Sequence, residues 1–186
     1  MKHSPEIRWD LLSEAKNHYS RHGFFYMEVP WTVGRDAYMA TKPEDAKDLL
    51  VRHWDRYLLA SGEQSLMQIR SKLPCKHLQT ITPCFRSENE YNDLRRPHFM
   101  KLELMSVLDE TDNDVRCLQQ MIMKALAFFG KHAYNLEVVH TGNDTYDINS
   151  NGIEIGSYGI REYQGFRWVY GTGLAEPRFS QTMEQK

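Results

Sequence analysis

Two runs of β-type sequence, His77 to Phe85 and Phe99 to Leu108, are joined by a connector, Arg86 to His98, that is dense in charge. The first run is rich in Thr and Ile. In the second, Phe99, Lys101 and Glu103 alternate with Met100, Leu102 and Leu104. A period of two puts one set of side chains on each face of a sheet. The connector holds Arg86, Arg95 and Arg96 together with Glu88, Glu90 and Asp93. A long charged loop between two strands seldom has a packing reason, and such loops commonly carry function. An arginine fork matches phosphate oxygens in geometry and stays charged at any relevant pH. The connector therefore predicts contact with a polyanion.

The flanking segments can be read in chain order. Ser4-Pro5 is a helix start, and Leu12, Ala15, Tyr19 and His22 recur at helical spacing up to Gly23. Phe24 to Val29 predicts a strand closed by Pro30. Thr41 and Glu44 have capping-box spacing and predict a short helix through Arg52. Tyr57 to Ala60 predicts a short buried strand, followed by Ser61-Gly62-Glu63-Gln64. A glutamate there is placed to meet a ligand amine, and equally to favour a helix N-terminus. A helix from Gln64 to about Lys72 follows. Beyond the second β-run, Thr111 is the expected cap of a helix whose stripe is Val115, Leu118, Ile122, Ala125 and Phe129, stopped by Gly130. That stripe is core, not a cofactor box.

The last third alternates β-runs with turns: Asn135 to His140, Thr145 to Ile148, Gly152 to Ile155 and Gly165 to Tyr170. Asn151-Gly152 is a strong hairpin signal, so Tyr146-Asp147-Ile148 and Ile153-Glu154-Ile155 are expected as antiparallel neighbours. Gly171 to Arg178 then lies between a β-run and a terminal helix. Glycines let a backbone approach a ligand, and an arginine on the following helix can reach a terminal phosphate.

Composition sets limits. The chain has 186 residues, 41% hydrophobic and 26% charged, ordinary values for one globular domain with a real core. A net charge of -2 argues against a broad nucleic-acid-binding surface. Cys75, Cys84 and Cys117 have no paired spacing and give no zinc signature. Without a signal peptide they read as reduced thiols in a cytoplasmic protein. His132, His140 and the other histidines have no metal-ligand spacing. No apolar run approaches the length of a membrane span.

Several motifs carry a resemblance. Phe85-Arg86-Ser87-Glu88, then Arg95, His98-Phe99 and Glu103, is similar to motif 2 of the class II aminoacyl-tRNA synthetases, in its seryl form. The helix, Gly23-Phe24 and the run ending in Val29-Pro30 are similar to motif 1. Ser61-Gly62-Glu63 resembles the Thr/Ser-x-Glu element that holds the substrate amine, with Gly62 as a departure. Glu154-Ile155-Gly156-Ser157 resembles the Glu-Ile-Ser-Ser element that helps bind magnesium, although Glu154 also reads as a solvent-facing strand acid. Gly171-Thr172-Gly173-Leu174-Ala175-Glu176-Pro177-Arg178 resembles motif 3, with Pro177 in place of a small residue.

The resemblance covers nearly the whole chain and implies an α+β fold, an antiparallel sheet flanked by helices. It implies one catalytic domain over residues 1–186, without an anticodon-binding or tRNA-gripping domain. The implied activity is ATP- and Mg2+-dependent activation of an amino acid or related carboxylate as an acyl-adenylate. The acceptor would be tRNA, a carrier protein or a small amine. The alternative is a non-catalytic paralogue that binds nucleotide or amino acid. By the same resemblance Arg86 sits on the α-phosphate and the substrate carboxylate. Phe99 stacks on adenine, with Arg178 on its other face, and Arg95 reaches the terminal phosphates. Glu88 faces adenine, its ribose or the acceptor, and Gly173 lines the ATP site. Glu154, with Asp147, holds magnesium, Glu63 and Glu103 bind the amino acid, and motif 1 implies a homodimer.

Overall fold

A computed structural model describes residues 6–42, 47, 50–51, 55–87 and 90–184. Helix α1, Trp9–Arg21, buries Leu11, Leu12, Ala15, His18 and Tyr19. That one-sided stripe is what a period of 3.6 produces. The expected start at Ser4-Pro5 lies outside the described residues. Arg8 precedes the helix without a side-chain cap, and its guanidinium pairs with Asp10 in the first turn. The predicted strand at Phe24–Val29 contracts to β1, Phe25–Tyr26.

A small sheet follows, made from β2 (Thr32–Val33), β3 (Leu50–Val51) and β4 (Arg56–Leu58), with β4 in the middle. Helix α2, Arg35–Met39, lies between β2 and β3. The helix expected from Thr41 to Arg52 is not formed at its far end, because Leu50 and Val51 pair with Tyr57 and Arg56. Glu44 and Arg52 lie outside the described residues. Helix α3, Gly62–Gln68, starts two residues earlier than predicted, since the Ser61 side chain accepts a hydrogen bond from the Glu63 amide. A 3-10 turn, Arg70–Lys72, completes it.

The main sheet contains β5 (His77–Phe85), β6 (His98–Leu108), β7 (Leu136–Gly142), β8 (Thr145–Ser150), β9 (Ile153–Tyr163) and β10 (Phe166–Glu176), with β1 at its edge. Its order is β1-β5-β6-β10-β9-β8-β7. Every pair is antiparallel except β1 with β5, so the sheet is mixed, not purely antiparallel. Asn151 and Gly152 both have positive φ, 51° and 78°, and turn β8 into β9 as expected. Helix α4, Asp114–Phe129, is capped by Asn113, whose Oδ1 accepts from the Arg116 amide at 2.9 Å. The expected cap, Thr111, instead donates its hydroxyl to Asp109 in the preceding turn. Val115 is 48% exposed, because the first turn of α4 stands clear of the packed face. Helix α5, Arg178–Glu184, closes the described chain.

Strands β9 and β10 run much further than the β-runs in the sequence indicate. The glycines that read as breaks lie inside the strands, where aromatic rings cover them. A Cβ on Gly171 would come within 2.6 Å of both Met121 and Tyr158. A Cβ on Gly173 would come within 2.3 Å of Leu102 and 2.9 Å of Tyr19. The Tyr19 hydroxyl also donates to the Gly173 carbonyl at 2.9 Å. Both glycines are therefore required by packing against the helix layer.

The sheet's two faces have different fates. On one, Leu102, Leu104, Tyr158, Val169 and Leu174 pack against α1, α4 and Phe179 of α5. On the other, Leu78, Met105, Trp168 and Tyr170 pack under the small sheet, α2 and α3 through Val33, Tyr38, Leu59, Leu66 and Met67. This cover stops short of the whole face, and the remainder forms a cleft. No helix among the described residues is long and apolar enough to cross a membrane.

Two outcomes follow from this packing. Gly173→Ala is expected to lower stability by about 1–3 kcal/mol through overpacking, measured by urea unfolding. Glu176 is fully buried, accepts from Ser180 at 2.7 Å, and leaves Oε1 without a partner. Burial raises its pKa above the ordinary value of 4.5. The folded state thus holds the proton more tightly than the unfolded state, and stability falls as pH rises through that window. Glu176→Gln should remove that part of the pH dependence of the urea midpoint and raise the midpoint at pH 7.

Candidate active site

The cleft has a volume of about 530 Å³ and lies between β5, β6, β9 and β10 on its floor and the α3 N-terminus above. Register decides which residues enter it. Thr82 pairs with Lys101, Thr80 with Glu103, and Glu103 with Thr172. Thr172, Tyr170 and Trp168 alternate on one face of β10, and Ser157 and Arg161 on the same face of β9. The alternation of Phe99, Lys101 and Glu103 against Leu102 and Leu104 thus separates cleft from core.

The outer end is arginine-rich. Arg86 donates to the Ala60 carbonyl, and its guanidinium carbon is 5.4 Å from the centre of the Phe99 ring. Arg178, first residue of α5, lies 3.3 Å from Glu154 and donates to the Leu94 carbonyl at 3.4 Å. It thereby ties the connector to β9. Asn92 folds the connector, with Oδ1 accepting from the Leu94 and Arg95 amides at 2.9 and 2.8 Å. The Arg95 side chain is exposed at the cleft and makes no ion pair with a described residue. Among the described residues lining the cleft, eight lysines and arginines face three acids, Glu63, Asp93 and Glu154. A chain with a net charge of -2 therefore concentrates positive charge here.

The inner end is a buried polar network. Ser61 donates to Glu103, which lies 2.8 Å from Lys101 and is fully buried. Glu63 is 2% exposed, and both its oxygens are engaged: Trp168 Nε1 donates to one at 2.5 Å, and Arg161 donates to the other. Burial pushes the Glu63 pKa up, and the Arg161 charge opposes that. The Arg161 guanidinium also lies 4.0 Å from the centre of the Tyr170 ring. Gly62 explains itself: a Cβ there would come within 2.9 Å of Thr80 and 3.0 Å of Thr82. Glycine lets the α3 N-terminus sit directly on β5.

Of the residues singled out in the sequence, Arg86, Arg95, Phe99, Glu63, Glu154 and Arg178 line the cleft. Glu103 lies behind them, screened by Lys101 and Ser61. Asp147 pairs with Ser157 and shares the cleft face of the sheet, one strand further out, but does not line the cleft. Gly173 does not line it either. Its missing Cβ makes room for Leu102 and Tyr19 on the opposite face, and it stands between Thr172 and Ala175, which do line the cleft. Glu88 lies outside the described residues. Arg161, Trp168, Tyr170 and Lys101 join the site without a motif to mark them. Only the alternation of β9 and β10 could have pointed to the first three, and the glycines obscured it.

No protein-family model and no curated protein matches the sequence. Solved structures do match the fold. The pyrrolysyl-tRNA synthetase PylSc from Desulfitobacterium hafniense superposes with a TM-score of 0.72 at 15% identity, over 95% of this chain and 68% of that one. A second structure of pyrrolysyl-tRNA synthetase from Desulfitobacterium hafniense gives 0.74 at 16%, over 95% and 69%. Seryl-tRNA synthetase from Pyrococcus horikoshii, complexed with ATP, gives 0.74 at 16%, over 93% of this chain and 48% of that one. The fold is that of a class II aminoacyl-tRNA synthetase catalytic domain. The seryl type is not singled out, since the pyrrolysyl enzyme superposes equally well.

The network sets its own test. Lys101→Met leaves the buried Glu103 carboxylate with only the Ser61 hydroxyl. The loss of stability at pH 7 should be about 3–5 kcal/mol by urea unfolding.

Proposed function

We propose that the protein activates a carboxylate, an amino acid or a relative of one, with ATP as an acyl-adenylate and passes the acyl group to an acceptor. The observation that carries this reading is the charge of the cleft: eight cations against three acids, with an aromatic ring at the arginine-rich end and a buried polar network at the other. The first end suits a nucleoside triphosphate and the second suits a small polar acyl group. The class II synthetase fold supports the same division.

The substrate carboxylate oxygen attacks the α-phosphorus of ATP, the bond to the bridging oxygen breaks, and pyrophosphate leaves. No proton need move, so the chain's contribution is positioning and charge neutralisation. Arg86 neutralises the α-phosphate and holds the attacking carboxylate. Phe99 offers its ring to adenine, and Arg178 and Arg95 hold the terminal phosphates. Glu154 is the residue suited to a magnesium ion. Its side chain is 48% exposed and keeps lone pairs beyond its contact with Arg178. Among the described residues no group of three or more His, Cys, Asp or Glu converges on a metal position, so phosphate oxygens would supply the remaining ligands. Such a cation would offset phosphate charge. Asp147, opposite Ser157 and one strand further out on the same face, is the second acid suited to such an ion.

The acceptor in this reading is tRNA, a carrier protein or a small amine. Association as a homodimer through α1 and β1 is supported by Trp9 and Phe25, 59% and 54% exposed beside the free sheet edge. A reducing, cytoplasmic setting suits three unpaired cysteines.

The deciding experiment is ATP–pyrophosphate exchange with the twenty amino acids and related acids, beside Arg86→Ala. Exchange with at least one acid is expected, falling by about a hundredfold or more in the variant. No exchange with any acid, in folded protein that still binds ATP, would replace activation with a nucleotide-binding role.

A further inference from the structure

At the inner end of the cleft the fixed charges are already matched, one cation to one anion. Glu103 has Lys101 and Ser61, and Glu63 has Arg161 and Trp168. Both carboxylates are almost fully buried, at 0% and 2% exposure. An ammonium group arriving there meets no acid still without a cation. The third acid with a described partner, Glu154, is at the other end and faces Arg178.

Arg161 differs from the other three members. Its side chain keeps 35% of its exposure while its partner Glu63 keeps 2%, and it lines the cleft. One nitrogen, Nη1, donates to Glu63, whereas a guanidinium carries five N–H donors in a fixed fork. Its flat face rests on the Tyr170 ring at 4.0 Å, which sets the plane in which the remaining donors point. Contact with Glu63 at one edge and Tyr170 on one face leaves a preorganised fork at the cleft wall. Oxygens in a planar pair, as in a carboxylate, fit that fork with two parallel hydrogen bonds. The wall beside it is polar, with Ser157 and Thr172.

The register also separates this fork from the reacting centre. Tyr170 pairs with Met105, whereas Phe99 is six positions earlier on β6 and pairs with Cys84, two residues before Arg86. The side chains converge from there: Arg86 donates to the Ala60 carbonyl and Arg161 to the Glu63 carboxylate, three residues further along the same segment. The two guanidinium groups are thus held at separate, neighbouring points of one cleft wall. They suit the two ends of one substrate.

We infer that the acyl substrate is a dicarboxylate, and that Arg161 is the specificity-determining residue that reads the carboxylate remote from the one activated. This rests on the activation reading above for the role of the first carboxylate. Glu63 is then a positioning residue, acting through Arg161, and not the seat of a substrate amine.

The test measures binding by titration calorimetry, in protein saturated with a non-hydrolysable ATP analogue. The ligands are aspartate, glutamate and 2-aminoadipate, each beside its side-chain amide, and glutarate beside butyrate. At least one diacid should bind about ten- to a hundredfold more tightly than its neutral partner. That ratio should collapse towards one in Arg161→Lys and in the double variant Arg161→Met with Glu63→Gln. The double variant removes both charges together, so it leaves no unpaired buried acid, and its urea midpoint checks the fold. A purely structural Arg161 would move stability and leave the ratio unchanged. Equal binding of diacid and neutral partner, or no binding of either, overturns the inference, as does a ratio that survives in both variants. The exchange assay separates this from the reading beneath it. Exchange with a neutral acid alone keeps activation and overturns the dicarboxylate. Selective diacid binding without any exchange overturns activation and keeps Arg161 as the reader.

Discussion

The alternation along β6 is the constraint on which the rest of the molecule depends. Leu102 and Leu104 face α1, α4 and α5, while Lys101, Glu103 and Met105 face the opposite way. Because β6 pairs with both β5 and β10, this one strand hands its two-sidedness to its neighbours. A slip of one residue would exchange the core for the cleft at every position. The long pairing with β10, from Arg167 to Glu176, makes such a slip costly, and a single irregularity between Thr172 and Leu174 brings Leu174 back to the core side.

A second constraint is polar. The α3 N-terminus could not rest on the sheet without satisfying the groups it buries there. Ser61 does so twice, accepting from the Glu63 amide and donating to Glu103. Glu63 then reaches across to Arg161 and Trp168 on β9 and β10. Burying two carboxylates is expensive, and each is held by a cation and by a neutral donor. A purely hydrophobic seam would join α3 to the sheet more cheaply. The charged seam instead fixes where each polar group stands, the property a binding site needs.

Much of this was legible in the sequence where a local rule was unopposed. The β5 and β6 runs, the Asn151-Gly152 turn and the α4 stripe from Leu118 to Phe129 each follow one period or one turn type. The misreadings came where two rules competed. Thr111 and Asn113 both offer a cap, and only the turn geometry around Asp109 decides between them. Gly156, Gly159, Gly171 and Gly173 signal breaks by local propensity, yet tertiary packing of Tyr158, Tyr170 and Tyr19 retains them inside long strands. That override also hid Arg161 and Trp168, since the strands carrying them run on through those glycines. The arginines of the outer end were visible because a loop gains no packing from a cluster of charge, so the cluster itself points to a ligand. The inner network was not, because its members lie far apart in sequence and each has an ordinary local role.

Charge distribution connects these layers. The whole chain is slightly acidic, so it gains nothing from indiscriminate attraction to polyanions. The cations are instead gathered in one concave place, where protein walls lower the effective dielectric and strengthen their field. At the outer end they come from a loop and a helix start. At the inner end they come from strands and are held by buried acids. If the proposed triphosphate binds here, such a cleft would tolerate more variation in how it is gripped than in what occupies the floor. In the proposed activation, selectivity among acyl groups would rest on this braced half of the site, where Arg161, held by Glu63 and Tyr170, is the more exposed of the two strand cations at the cleft.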